Sequence, residues 1–239
     1  DAKKLPDRNA YQIYFEEFST DLEKEIQRHI REKSKFPEGE LYTIIYSILS
    51  ALSYLDRNDL NHNYIVPVNI LKIDRDTYKL DDNFLLQHQS DIYSEALKGN
   101  YLRYLAPELM PSYFRRNPSP GKYDHDKADV FALGICILDA GLLNSEGDFL
   151  NKKGNRIDET KLKEKLQKFS DYYTPTMLKI VEDMLIIDPN KRPSSSGLLK
   201  KLPGKPIATI SPPTNKKKEE KILIQDSPTV SLIGLFLIY

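Results

Sequence analysis

The chain has 239 residues, which is enough for one large domain or two small ones with a sizeable core. Its 35 lysine and arginine side chains balance 35 aspartates and glutamates, so no global basic field exists to attract nucleic acid or an anionic membrane. A single cysteine, Cys136, excludes an internal disulfide and a cysteine-based zinc site, and it favours a reducing, intracellular setting. The charged first residues, DAKKLPDRN, are not typical of a signal peptide.

The first third of the chain predicts a strand, two helices and a hairpin. Aromatic and β-branched residues at 11–15 predict the strand, and Asp21 is placed to cap a helix with the sequence LEKEIQRHIREK. A second helix opens at Pro37 and runs to about Arg57. Its apolar residues share one helical face: Leu41, Ile44, Ile45, Ile48, Leu49, Leu52 and Leu55. Segments 70–73 and 78–80 then predict a short hairpin.

The rest of the chain predicts helices separated by one long irregular segment at 87–125, a length that is usually functional or disordered. Residues 127–143 are apolar on nearly all sides, which indicates a central buried helix. Further helices are predicted at 161–169, at 175–185 with Thr174 as cap, and at 194–202. His29, His88 and His125 have no partners at metal-ligand spacing and are predicted to lie on the surface.

The last part of the chain differs in composition from the rest. Residues 203–220 contain four prolines and a charge run, which predicts a linker and places the end of the domain near Leu202. The apolar run at 230–239 is too short to cross a bilayer as a helix, which takes about 20 residues. We interpret it as a buried strand or helical turn, or as an artefact of gene prediction, with contact at a membrane surface as the alternative.

Five short segments, taken in order, carry a resemblance. They are HNYIVPVNIL at 62–71, KLDDNFL at 79–85, YLAPE at 104–108, KADVFALG at 127–134 and DPNKRP at 188–193. Their order and spacing resemble the C-terminal lobe of eukaryotic protein kinases over residues 11–202. The resemblance implies a mainly α-helical lobe with a few short β-strands. Residues 1–10 would be a remnant of the upstream lobe or a linker, and 203–239 a Pro/Lys-rich linker with an apolar tail.

The upstream, nucleotide-covering lobe of the family is almost entirely absent from this sequence. The family places a Gly-rich loop and a strand lysine there. Only about 15 residues precede the segment Phe15-Glu-Glu-Phe18, which resembles the hinge whose backbone receives adenine. Either that lobe lies outside this sequence or the protein has none.

The segment that resembles the catalytic loop departs from the family pattern H-R-D-x-K-P-x-N. His62, Pro67 and Asn69 match, and Ile70-Leu71 match the apolar pair that follows. Asn63 stands at the arginine position, Tyr64 at that of the catalytic aspartate and Val66 at that of the lysine. A tyrosine has a reference pKa of about 10, so it is protonated at neutral pH and cannot replace the base. The sequence therefore predicts a degenerate catalytic loop with no intact catalytic residue.

The metal-binding motif D-F-G aligns with Asp82-Asn83-Phe84, and Asp81 competes for the aspartate position because the register is uncertain by one residue. The resemblance implies that Asn69, Asp82 and Leu71 would line a nucleotide site, with Asn69 and Asp82 as magnesium ligands. Equally, Asn69 and Asp82 are ordinary loop-capping residues. ATP and magnesium binding is thus expected to be weakened.

Three residues match positions that support the family fold. The resemblance implies an ion pair between Glu108 and Arg192, and it implies that Asp129 braces the backbone of the catalytic loop. These positions are intact although the catalytic ones are not.

Three hypotheses follow. The first is a pseudokinase that acts by binding other proteins in the cytoplasm, without nucleic acid and without a transmembrane span. The second is a divergent serine/threonine kinase whose N-terminal lobe is missing from this chain. The third is a decaying gene with no selected role. Tyr64 and Val66 favour the first over the second.

Overall fold

The computed structural model describes residues 2–4, 10–13, 17–81, 100–111, 122–143, 149–151, 156–203 and 236–237. By contacts the chain divides into two units, one of residues 1–17 with 209–239 and one of residues 18–208. In the first unit, strands β1 (Ala2–Lys4) and β2 (Ala10–Ile13) pair antiparallel, with Ala2 opposite Ile13. Phe236–Leu237 of the C-terminal run adds a third antiparallel strand, opposite Ala10 and Tyr11.

The second unit begins with a strand and two helices. Strand β3 (Thr20–Asp21) leads into α1 (Leu22–Glu32), and Asp21 caps it by accepting a 2.9 Å hydrogen bond from the Lys24 amide. Helix α2 (Glu38–Arg57) starts after Pro37, and six of the seven apolar residues on its predicted face are buried. Both helices were predicted, because periodicity and caps are local signals.

The predicted hairpin is confirmed. After a 3₁₀ turn at Pro67–Asn69, strands β4 (Ile70–Lys72) and β5 (Tyr78–Leu80) pair antiparallel with Ile70 opposite Leu80. Strand β3 pairs with the other edge of β4, so the sheet order is β3-β4-β5. The middle strand of this sheet, β4, begins directly after the turn at Pro67–Asn69.

Helix α3 (His125–Leu142) lies at the centre of the unit, and sixteen of its residues are buried. It contacts α2, a 3₁₀ turn at Asn100–Tyr104, and the three helices that follow it. No side of α3 faces solvent over most of its length, as its all-round apolar sequence predicted. It begins two residues earlier than predicted, because Asp124 caps it by accepting from the Lys127 amide.

A two-stranded ribbon and three helices complete the unit. Strands β6 (Leu150–Asn151) and β7 (Arg156–Ile157) pair, and α4 (Glu159–Ser170), α5 (Pro175–Met184) and α6 (Ser195–Leu199) follow. Thr174 caps α5 as predicted, whereas α6 is shorter than predicted. Gly134 of α3 permits close packing on α5, since a Cβ there would lie 2.8 Å from a side-chain atom of Leu185. In the part of the chain described, no helix is both long and apolar enough to cross a membrane.

Candidate functional site: the loop between α2 and β4

The loop at 62–69 is closed on itself by four hydrogen bonds. His62 donates from Nε2 to the Asp81 carbonyl at 2.7 Å and accepts at Nδ1 from the Tyr64 amide at 3.3 Å. Asn69 donates from its side chain to the Tyr64 carbonyl at 3.0 Å, and its own carbonyl accepts from the Asp81 amide at 2.9 Å. Since an amide can only donate and a carbonyl can only accept, the His62 ring carries its proton on Nε2. Four residues thus form one closed ring of contacts.

Two of the three positions that depart from the catalytic pattern, Tyr64 and Val66, are buried in the core. Tyr64 is 7% exposed, Ile65 2% and Val66 1%, and all three belong to the main apolar cluster. The side chains at 64 and 66 therefore lie among apolar neighbours. In this loop the hydrogen bonds named above use only the backbone of Tyr64.

Two residues in the first turns of α3 support the loop at 62–69 by binding Asn63. Asp129 accepts from the Asn63 amide at 3.0 Å, and the His125 ring lies 2.7 Å from the Asn63 side-chain oxygen. Asn63 has a left-handed backbone with φ of 64°, which asparagine tolerates better than most residues. Complete burial raises the pKa of Asp129 to about 7, with the nearby charge of Asp126 adding to the rise.

Arg192 and Glu108 form a two-pronged ion pair. The guanidinium Nη1 and Nη2 lie 2.8 and 3.1 Å from the two carboxylate oxygens. The other donors of the fully buried Arg192 side chain reach the carbonyls of Ile186, Lys127 and Ile187. All five guanidinium N–H groups are thus used, and the group also lies 4.9 Å from the Phe131 ring centroid. This contact ties the 104–108 segment to the 186–193 turn and α3.

Sequence reasoning missed a second anchor of the same segment. Asp139, 2% exposed in the last turn of α3, accepts from Arg103 at 2.6 Å and from the Tyr104 hydroxyl at 2.9 Å. Burial raises the pKa of Asp139 to about 6, although Arg103 opposes the rise. The available signal was an acid inside an otherwise apolar helix, because such a residue needs a partner.

The remaining predicted site residues are only partly described. Asp82, Asn83 and Phe84 lie outside the described residues, as do the first two residues of the hinge-like segment, whereas its last residue, Phe18, is exposed. Leu71 is half-buried in β4, opposite Asp21 on one side and Lys79 on the other. Of the two implied magnesium ligands the structure describes Asn69 alone. Within the described ranges, no group of three or more His, Cys, Asp or Glu side chains could hold a metal ion.

Two of the three histidines that were predicted to lie on the surface are among the described residues, and neither is exposed. His29 is 5% exposed, stacks 4.1 Å from the Phe36 ring and contacts Ser34, so the prediction that it lies on the surface is wrong. His125 is half-buried beside Asn63. His88 lies outside the described residues.

Comparisons with known proteins agree with this geometry. The model for the protein kinase domain matches residues 7–202. The chain is 29% identical over 187 residues to the membrane-associated tyrosine- and threonine-specific cdc2-inhibitory kinase wee-1.3 of Caenorhabditis briggsae, an alignment covering 75% of the chain and 26% of that protein. It is 27% identical over 173 residues to serine/threonine-protein kinase ULK3 of Xenopus laevis, covering 70% of the chain and 34% of the relative.

A third relative is described as kinase-like. The TBC domain-containing protein kinase-like protein of Dictyostelium discoideum is 36% identical over 129 residues, which is 53% of the chain and 12% of that protein. The matched part spans 26% and 34% of the length of the first two relatives.

Proposed function

Because the chain belongs to the protein kinase domain family, we propose that it is a pseudokinase, which transfers phosphate poorly or not at all and acts by binding other proteins. The observation that carries the proposal is Tyr64, a buried phenol at the position where the family pattern has the catalytic aspartate. A protein kinase uses that aspartate to accept the proton of the substrate hydroxyl.

The chemistry lost at this position is large. A positioned general base contributes about 10²–10⁴ in rate, or roughly 3–5 kcal/mol of barrier. The buried Val66 side chain stands where the pattern has a lysine, so no cation from that position stabilises the transferring phosphoryl group. Both substitutions remove charge from the place where charge develops during the reaction.

The contacts of the matching residues support the same proposal. His62 and Asn69 retain their family identities, and both hold the backbone of Tyr64 and Asp81. Those bonds need neither nucleotide nor metal. We therefore propose that these residues persist because they shape the loop, and that binding of ATP with magnesium is weakened.

A binding role is consistent with what the second unit exposes. Several large apolar side chains are solvent-exposed: Phe18, Ile30, Tyr54, Leu60 and Tyr172. Amphipathic and aromatic side chains of this kind are common in protein–protein contacts. We propose that the partners of this chain are cytoplasmic proteins, and that exposed side chains of this kind contact them.

Radiolabelled ATP, supplied with magnesium to the complete natural chain and a general protein substrate, tests the proposal. We expect no phosphoryl transfer above the background of a heat-denatured sample. The variant pair Tyr64→Asp and Tyr64→Asp with Val66→Lys asks whether restoring the pattern restores activity. Turnover by the natural chain that disappears in Asp82→Ala would contradict the proposal, since that residue matches the magnesium ligand.

The alternative is a divergent serine/threonine kinase, and the position of Asn69 favours it. Asn69 lies next to Tyr64 and Asp81, at the place where the family holds a metal ligand. A magnesium-dependent rise in melting temperature with ATP, abolished by Asn69→Ala, would favour nucleotide binding, because alanine offers no oxygen to a metal ion. Combined with transfer activity it would establish the alternative, and without transfer it would indicate a nucleotide-binding pseudokinase.

A further inference from the structure

Acidic side chains cluster below the loop, where the start of α3 meets the end of α2. Asp126 and Asp129 lie three residues apart in α3 and therefore share one helical face. Together with Asp56 of α2 and His62 of the loop they line a single cleft. The remaining lining residues are Leu52, Leu55, Leu60 and Asn61.

One carboxylate oxygen of this cluster, Oδ1 of Asp126, is buried without a hydrogen-bond partner among the described residues. Asp126 is 6% exposed, and its Oδ2 accepts from the Ser195 amide at 2.8 Å. Its Oδ1 is buried and has no hydrogen-bond partner among the residues that the structure describes. A buried carboxylate in that position takes up a proton more readily than it stays charged.

The groups that face the cluster do not neutralise it. Burial raises the pKa of Asp126, and the carboxylates of Asp56 and Asp124 raise it further, against hydrogen bonds from Ser195 that lower it. The pKa of Asp129 rises to about 7 through burial and the charge of Asp126, opposed by the backbone amides of residues 62 and 63. The His62 ring also faces the cleft, but its two nitrogens bind Tyr64 and Asp81.

We propose that Asp126 and Asp129 together bind one proton, and that release of this proton to solvent as the pH rises weakens the support of the loop at Asn63. With the proton bound, one carboxylate remains to accept the Asn63 amide. Without it, the helix carries two buried like charges three residues apart, at Asp126 and Asp129. Since the two groups interact, the titration belongs to the pair and not to either residue alone.

The sign of the effect follows from the direction of these shifts. Both acids have a higher pKa in the folded chain than the reference value of about 3.9 for an unfolded one. The folded state therefore holds the proton more tightly. The stabilisation is complete below the unfolded pKa and is lost as the pH rises to about 7. This inference concerns the fold and holds whether or not the chain transfers phosphate.

A pH titration of the isotope-labelled full chain by NMR tests the proposal. The Asn63 amide signal should move in one transition with a midpoint near 7, because its acceptor is Asp129. The Asn69 amide, which donates to the Val66 carbonyl, is the internal control and should stay in place. In Asp126→Asn the Asn63 midpoint should fall, because the neighbouring charge is gone.

Two results would overturn the proposal. One is an Asn63 signal that does not move between pH 5 and 9. The other is a transition that Asp126→Asn leaves unchanged but His125→Gln abolishes, since the movement would then report the imidazole next to the Asn63 side chain. The wild-type titration decides the matter even when a variant fails to fold.

Melting temperature gives an independent measurement. Between pH 5 and pH 8 the wild type should lose at least about 2–4 °C more than Asp126→Asn, the shift that a change of about 1 kcal/mol produces in a domain of this size. Asp171→Asn is the control, because Asp171 is an exposed aspartate that does not line this cleft, and it should follow the wild type closely. Parallel curves for wild type and Asp126→Asn would contradict the proposal.

Discussion

The loop at 62–69 and the two anchors, Glu108 with Arg192 and Asp139 with Arg103, use polar residues in different ways. In the anchors, charged side chains bind each other: Arg192 binds both carboxylate oxygens of Glu108, and Arg103 binds Asp139. In the loop, His62 and Asn69 grip backbone groups, while Tyr64 and Val66 face the core. The comparison teaches that these internal supports are present in a kinase fold that has Tyr64 and Val66 at the positions where the resemblance places the catalytic aspartate and lysine.

The largest effect should come from breaking the anchor. Arg192→Ala leaves Glu108 and three carbonyls without their donor, and removing one partner of a buried ion pair costs about 3–5 kcal/mol. We expect the melting temperature to fall by about 6–20 °C, read by circular dichroism. Lys191→Ala is the matched control, because its side chain is exposed and lies 3.9 Å from Asp188. Equal falls in melting temperature for the two variants would show that the ion pair between Arg192 and Glu108 does not stabilise the fold.

The second anchor should give a somewhat smaller effect. Asp139→Ala leaves Arg103, which is 16% exposed at its side chain, and the Tyr104 hydroxyl without their acceptor. We expect a loss of about 3 kcal/mol in the free energy of unfolding, the lower end of the range for a broken buried pair. Tyr104→Phe removes one neutral donor only and should cost about 1 kcal/mol. Urea denaturation of both variants measures the ratio, and a costlier Tyr104→Phe would show that the ion pair is not the main contact.

A substitution in the loop at 62–69 should lower the free energy of unfolding less than a substitution in either anchor. Asn69→Ala removes the donor to the buried Tyr64 carbonyl, which costs about 1–3 kcal/mol. If the role of Asn69 is to shape the loop, the loss is the same with and without magnesium and ATP. Thermal unfolding under both conditions measures it. A loss that appears only with nucleotide present would instead make Asn69 a ligand of the metal.

Local signals account for most of the fold that was predicted. The helices at 22–32 and 38–57 follow from caps and apolar spacing, and the buried helix at 125–142 from its all-round apolar sequence. The hairpin at 70–80 follows from two short strand-like runs joined by a polar turn. The error at His29 has a local origin too. A polar helix predicts an exposed histidine, but the chain returns after α1 and Phe36 covers the ring.

The site divides in the same way between sequence and tertiary structure. The motif order pointed to Glu108, Arg192, Asp129 and the substituted positions 64 and 66, because these identities can be recognised in a linear sequence. The structure alone brought His62 to the carbonyl of Asp81, Asp139 to Arg103, and Asp126 to the amide of Ser195. These contacts join residues 19, 36 and 69 positions apart in the chain.

Sequence by itself determined the family and the presence of a tyrosine at position 64, since both depend on residue identity. Tertiary structure decided which polar groups are buried without a partner and which are paired. Burial and pairing depend on elements that meet only after folding, and so do the pKa values of Asp129 and Asp139 that result from them.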